Sequence, residues 1–390
     1  MSTIVSPVLK GRRTEGFDMR KSVGLATLAV ACSLSACSRS EPPPIDRLTL
    51  PPGFSISVFA EVENARQMAR GDDGTIYVGS RNAGKVHAVL DADGDFKADR
   101  VVLIAKDLEM PSGVAYRDGD LYVAAVSTIY RFSDIAETLD DRPSPDTIKS
   151  DFPTEKHHGW KYLKFGPDDK LYVPVGAPCN ICVSEVPFAT IVRMDVDAPD
   201  DTEVVAYGVR NSVGFDWDPE TSDLWFTDNG RDLLGDDIPP CELNHVSEVG
   251  QHFGYPYIHG NDVVDPEFGD QADASVDYRQ PALALGPHVA PLGMTFYQGT
   301  QFPAEYRGDI ILAEHGSWNR TPEAGHTGHR LIRAKRDADS IDYQVFVEGW
   351  LQDDNTAWGR PADVLSLPDG SLLIADDKAG AIYRISYEGA

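Results

Sequence analysis

One hairpin recurs along this chain: an apolar strand, a turn rich in Asp and Gly, then a run of large apolar residues. Its second half reads Gly74-Thr75-Ile76-Tyr77-Val78, Gly119-Asp120-Leu121-Tyr122-Val123, Lys170-Leu171-Tyr172-Val173, Asp223-Leu224-Trp225-Phe226, Gly308-Asp309-Ile310-Ile311-Leu312 and Gly370-Ser371-Leu372-Leu373-Ile374. A third strand follows most copies, often ending apolar-Arg-apolar, as in Ile382-Tyr383-Arg384-Ile385. A repeat of about 45 to 55 residues with three or four strands cannot bury its faces alone, and radial stacking satisfies it. The expectation is an all-β, six-bladed β-propeller over residues 48–390. It forms one domain, because the ring closes only when every blade is present. Closure is expected from an N-terminal strand, Ser55 to Phe59, joining the last blade.

Ahead of the repeats, Met19-Arg20-Lys21, an apolar run from Val23 to Leu34, and Leu34-Ser35-Ala36-Cys37 read as a secretory signal too short to span a bilayer. The last tetrapeptide matches a bacterial lipobox. Residues 1–37 are therefore expected to be a signal peptide, in effect starting at Met19, with Cys37 lipidated; an ordinary signal peptide is the alternative. Residues 38–47, with Pro42-Pro43-Pro44, read as a tether. The protein would be exported and periplasmic, touching the membrane through the lipid anchor alone. A formal charge of −27 without a basic patch argues against nucleic acid and anionic membranes, and for small neutral or cationic partners.

In an oxidising compartment Cys179 and Cys182 are expected to form a tight disulfide, with Cys241 the other candidate partner. No His follows Cys182, as haem attachment requires, and no second pair of that spacing supports zinc. Asp91-Ala92-Asp93-Gly94-Asp95 with Asp99 has the carboxylate spacing of a calcium loop; an acidic strand connection is the alternative. Phe132 to Thr154 reads as a surface excursion with one short helix.

The first strand of the third repeat is expected over Trp160 to Phe165, with His158 just ahead of it. In a propeller the innermost strands all start at the same end of the central channel, so residues ahead of them converge. That set is Gln67, Ser112, His158, Arg210-Asn211, Leu292-Gly293 and Arg360. Two Arg facing one channel repel unless an anion lies between them, and guanidinium forks grip carboxylates. A multiply charged anionic ligand is expected, and a neutral His beside it can act as general base. The acidic run Thr227 to Asn244 around Asn229-Gly230 suits a Ca²⁺ held by carbonyl and side-chain oxygens, a solvated acidic loop being the alternative.

Gly208-Val209-Arg210-Asn211, Asn229-Gly230, Glu242-Leu243-Asn244, Phe253-Gly254-Tyr255-Pro256, His288-Val289-Ala290-Pro291 and Gly359-Arg360-Pro361-Ala362-Asp363-Val364 together resemble the soluble PQQ-dependent glucose/sorbosone dehydrogenases. The resemblance runs from about residue 48 to 388 and implies oxidation of a sugar by hydride transfer to PQQ, with His158 as catalytic base. It implies that Arg210, Asn211, Asn229 and Arg360, with His288 and Arg320, contact the cofactor. It implies Ca²⁺ on the carbonyls of Gly230 and Arg231, with Glu242 as a further ligand.

The chain departs from that pattern where the glucose oxidisers carry a cofactor-facing Lys: it reads Glu314-His315-Gly316-Ser317-Trp318-Asn319-Arg320, leaving His315 or Arg320 to substitute. The second Arg beside Arg360 is Ala362. The Cys179–Cys182 loop and the Ser317 to Arg320 run resemble the sorbosone branch. Ser317 to Gly328, with His315, His326 and His329 in and beside it, reads as a substrate lid, a transition-metal site being the alternative. Asp353 to Trp358 would supply an aromatic wall. A calcium-dependent lactonase and a non-catalytic NHL-type binding propeller are rivals, and neither needs an Arg pair.

Overall fold

The computed structural model describes residues 42–141, 143–337 and 340–389. The expected signal peptide, Cys37 and the first part of the expected tether lie outside them. From Pro43 onward the chain forms one compact unit, and Ile45, Leu48 and Leu50 already pack against the core.

Six sheets of four or five strands surround a central axis. The inner strands are Ala65–Arg70, Gly113–Arg117, Lys164–Phe165, Phe215–Trp217, Pro291–Phe296 and Pro361–Ser366, for blades 1 to 6. The second strands of blades 1, 3, 4, 5 and 6 are buried along their whole length, from Ile76–Ser80 to Leu372–Asp376. Both faces of a blade press on neighbouring blades, which is why these strands read as unbroken apolar runs rather than alternating ones. The ring closes where Phe54–Glu61 pairs antiparallel with Ala381–Tyr387, Phe54 opposite Tyr387. Phe54 locks this latch edge-on against Phe302 and Phe346, with ring centroids at 4.8 and 5.1 Å.

Two local expectations need correction. Trp160 to Phe165 pairs as a strand only at Lys164–Phe165. The backbone N–H of Leu163 instead donates to Gln67 Oε1 at 2.8 Å, and Val114 N–H donates to the same oxygen at 3.0 Å. Gln67 thus spends its side chain joining three blades. In the excursion after Phe132, the short helix Ile135–Thr138 forms, but Asp146–Lys149 is the outer strand of blade 2, pairing with Ile129–Phe132.

Antiparallel order puts the start of each inner strand and the end of each second strand at the same face of the ring. Connections there are short on blades 1, 2 and 6 (residues 81–85, 125–128 and 377–380) and long on blades 3, 4 and 5 (176–189, 229–239 and 315–329). The long ones wall in a cavity on the axis.

Candidate active site

The cavity holds about 430 Å³. His158, Arg210, Asn211, Asn229, Gly230, His288, Leu292 and Arg360 line it, so most of the set expected to converge does so. Gln67, Ser112 and Gly293 do not. A bulge between Ala65 and Met68 adds one residue to the inner strand of blade 1 and changes which side chain faces the axis. Gln67, expected ahead of the inner strand, lies within it, and Arg66 points in instead.

His158 sits at φ 51, tucked against Gly176; a Cβ there would come within 2.6 Å of the His158 Cβ, so this wall tolerates only glycine. Its Nδ1–H donates to the Ala177 carbonyl at 2.9 Å. A carbonyl only accepts, so the neutral ring leaves its Nε2 lone pair free on the cavity side. Burial, then the nearby Arg210 and His157, hold its pKa well below the ordinary value, and the ring is neutral at pH 7.

The cations are held in different ways. Arg210 donates through Nε to Asn180 O at 2.9 Å, through Nη1 to Asn229 O at 3.0 Å, and through Nη2 to Asn180 Oδ1 at 2.8 Å and Asp232 at 3.1 Å. The Asp228 carboxylate accepts the backbone N–H groups of Arg210 and Asn211 at 2.8 and 2.6 Å. Blade 6 repeats the device: Asp376, also the last residue of a second strand, accepts from the Arg360 N–H at 2.8 Å. The Arg360 side chain rests on the carbonyls of His315 and Gly316.

Two further guanidinium groups come from blade 1. Arg66 pairs with Asp377 at 2.9 Å, and His315 Nε2–H donates to the other oxygen of Asp377 at 2.8 Å. Arg81 lies over the Trp160 ring, its guanidinium carbon 3.8 Å from the centroid. Its Nε is buried without a partner, and burial, then Arg66, push its pKa down to about 10. With Lys156, five cationic side chains line the cavity against one carboxylate, Asp232, in a chain of net charge −27. That inversion of the local field, with the Arg81 and Arg360 side chains both lacking an acidic partner at ion-pair distance among the described residues, fits a polyanionic ligand.

Other expected residues sit elsewhere. Arg320 does not line the cavity; it donates to the carbonyls of Gly325 and Asp236, tying the blade 5 loop to itself and to blade 4. Of the two candidates for the missing Lys position, His315 is the one in the cavity. His288 is at the cavity wall with Nε2 donating to Gly235 O at 2.8 Å. Glu242 lies below the floor, accepting from Gly260 N–H at 2.6 Å and Asn244 Nδ2 at 2.9 Å, opposite Asp228 on the next strand. Burial pushes both carboxyls up, and the nearby Glu242 raises Asp228 further. The Arg231 side chain turns away to Asp265 and Glu267. Among the described residues no hydrogen bond ends on the carbonyl oxygens of Gly230 or Arg231, which leaves them able to coordinate a cation beside the cavity.

Cys179 and Cys182 form the disulfide, and Cys241 is free, buried at the cavity edge, with its thiol pushed up to about 12 by burial. Asp91, Asp93 and Asp99 bring carboxylate oxygens within 4.8 Å of one another, on a loop at the opposite face of the ring. The three His of blade 5 diverge: His315 to Asp377, His326 to Ser317 at 2.9 Å, His329 packed on Gly316. The loop around them is fastened by Asn319 to Asp232 at 2.6 Å and by His326 N–H to Asn355 at 2.6 Å. Trp358 stacks near Trp350 in the core; the aromatic rings at the cavity are Trp160 and the exposed Trp318.

Residues 144–384 match the protein family described as Glucose / Sorbosone dehydrogenase. An uncharacterized protein of Borreliella burgdorferi is 34% identical over 353 residues, covering 87% of this chain and 91% of its own. Among solved structures, the PQQ domain of pyranose dehydrogenase from Coprinopsis cinerea superposes with a TM-score of 0.68 at 18% identity, over 87% of this chain and 97% of that one. The PQQ-bound aldose sugar dehydrogenase of Streptomyces coelicolor does so with 0.59 at 20% identity, over 87% and 99%.

Proposed function

Because this chain belongs to the glucose/sorbosone dehydrogenase family, we propose that its cavity binds PQQ with Ca²⁺ and oxidises an aldose or related sugar aldehyde or alcohol. The observation that carries this reading is the free Nε2 of neutral His158 facing the same cavity as five cationic side chains. PQQ carries three carboxylates, and the donors present match that charge: Arg210, Arg360, Arg66 and Arg81, with Asn211 and Asn229 as neutral amides. Gly230 and Arg231 would offer carbonyls to Ca²⁺.

Bound between these arginines and beside the carbonyls of Gly230 and Arg231, PQQ would supply a hydride acceptor and Ca²⁺ a Lewis acid. The chain's own part is to place the sugar hydroxyl within reach of His158 Nε2, which takes the proton as the carbon gives up hydride. The Ala177 carbonyl holds the ring in the tautomer this requires, and accepts the hydrogen bond of the ring once it is charged. The depressed pKa keeps His158 unprotonated at neutral pH, so base function persists into mildly acid solution. The exposed Trp318 gives an apolar face on which a sugar ring can stack. The lactonase reading requires several acidic metal ligands in the cavity, and Asp232 is the lone carboxylate there.

The test is reduction of an artificial dye by the PQQ- and Ca²⁺-loaded protein across a panel of aldoses and sorbosone. Sugar-dependent reduction is expected, and His158→Ala is expected to slow it by about 10²- to 10⁴-fold with PQQ still bound. Equal rates in wild type and variant would remove His158 from the mechanism. We further propose export and anchorage through Cys37; a mature mass lacking diacylglycerol would refute it.

A further inference from the structure

The Cys179–Cys182 disulfide closes a ring around two residues, and one of them, Asn180, uses most of its polar atoms on the cavity wall. Its carbonyl accepts from Arg210 Nε at 2.9 Å and its Oδ1 from Arg210 Nη2 at 2.8 Å. The same Oδ1 accepts the Asp232 N–H at 2.8 Å, and its Nδ2 donates to Asp232 O at 3.0 Å. Asn180 therefore supplies two of the four contacts on the Arg210 guanidinium and fixes the loop carrying a third, Asp232. Tyr255 backs the ring from behind: its hydroxyl accepts the Cys182 N–H at 3.0 Å and lies 3.4 Å from Cys179 Sγ.

We propose that Asn180 is a positioning residue for Arg210, and that the Cys179–Cys182 bond, by holding Asn180 in place, makes the cavity's affinity for its anionic ligand sensitive to thiol reductants. The ligand's identity as PQQ rests on the function proposed above; the positioning of Arg210 does not. The remainder of the 176–189 connection has no regular structure to hold Asn180 once the bond is open. Closing so small a ring does little for global stability, because a disulfide's effect on the unfolded chain grows with loop length. Its consequence is local. Cys179 and Cys182 are half-buried rather than enclosed, which leaves their bond open to attack by a dithiol. The dithiol gives two electrons and two protons, is itself oxidised to a disulfide, and leaves two thiols at Cys179 and Cys182. Cys241 is already a thiol and takes no part.

The experiment follows two signals in full-length protein. The first is hydrogen exchange at Arg210 Nε–H by NMR in the cofactor-free state; the second is the Kd for PQQ with Ca²⁺. In oxidised wild type Arg210 Nε–H is expected to be protected and PQQ bound. Dithiol treatment, Asn180→Ala, and Cys179→Ser with Cys182→Ser should each expose it and weaken PQQ binding by about 10- to 100-fold, the loss of one or two hydrogen bonds to a charged group. The double Ser variant should no longer respond to dithiol. Undiminished protection and unchanged Kd after reduction would overturn the inference. Protection that falls on reduction in a protein binding no PQQ would uphold the positioning and refute the ligand.

Discussion

Arg210 and Arg81 reach the same cavity from across the ring, and they are held in opposite ways. Arg210 stands at the junction of blades 3 and 4, where long connections surround it, and carbonyls, an amide and a carboxylate take up its donors. Arg81 stands on blade 1, where the connection is short, and has an aromatic face beneath it and an unpartnered Nε. A guanidinium tied on its far side is oriented before any ligand arrives; one merely stacked keeps its hydrogen-bonding capacity for the ligand. One wall gives geometry and the other gives unspent charge.

Replacing these residues should separate the two roles. Arg210→Ala is expected to have the largest effect: about 2–4 kcal/mol of stability lost, because Asn180 and Asp232 are left with unsatisfied groups, together with more than about 100-fold in PQQ affinity. Thermal melts and ligand titration read both quantities, and a stable variant that still binds would collapse the distinction between the walls.

The histidines divide similarly, His158 on a carbonyl and His315 on a carboxylate. Burial holds His315 down to about 4 despite Asp377. The unfolded chain therefore binds a proton below about pH 6.5 that the folded chain refuses until about pH 4, and stability falls as pH drops through that window. Between pH 6.5 and 5 the loss should be roughly 1–2 kcal/mol. His315→Gln should flatten the acid limb of the stability curve by about one proton; an unchanged slope would place the acid sensitivity elsewhere.

Arg81→Met should leave stability within about 1 kcal/mol of wild type, since no hydrogen-bond or ion-pair partner is lost and the loss of the stacking on Trp160 is offset by relief of repulsion from Arg66, yet weaken PQQ about 10-fold. An unaltered Kd would mean that the spare Nε is not aimed at the ligand. The smallest effect is expected from Trp160→Leu, which removes the ring under Arg81, worth about 0.5–2 kcal/mol of cation–π attraction. Isothermal titration should show affinity falling by less than in Arg81→Met.

The blades, the ring closure and the disulfide were legible because each has a local signature: apolar runs between Asp/Gly turns, an unpaired N-terminal strand, a short Cys spacing. Arg210 and Arg360 were legible because they occupy equivalent places ahead of inner strands, each with its N–H on the Asp that ends the neighbouring second strand. Arg66 was hidden because its inner strand already begins at Ala65 and carries a bulge, so the residue facing the axis lies inside the strand rather than ahead of it. Arg81 was hidden because a short connection carries no periodic pattern, and its value comes from Trp160, far away in sequence. Arg320 and Glu242 look like ligands in sequence, but their charges are absorbed by carbonyls and N–H groups that only the fold brings near. Acidic or basic residues in a rich run say little until their partners are counted.

The account rests on a polyanion filling the space between these two walls. Titration of EDTA-treated protein with PQQ, with and without Ca²⁺, followed by absorbance, tests it most directly. Saturable one-to-one binding, tighter with Ca²⁺ and weakened in both Arg210→Ala and Arg81→Met, is the expected result. Absence of binding in either condition, or binding indifferent to both arginines, would contradict it.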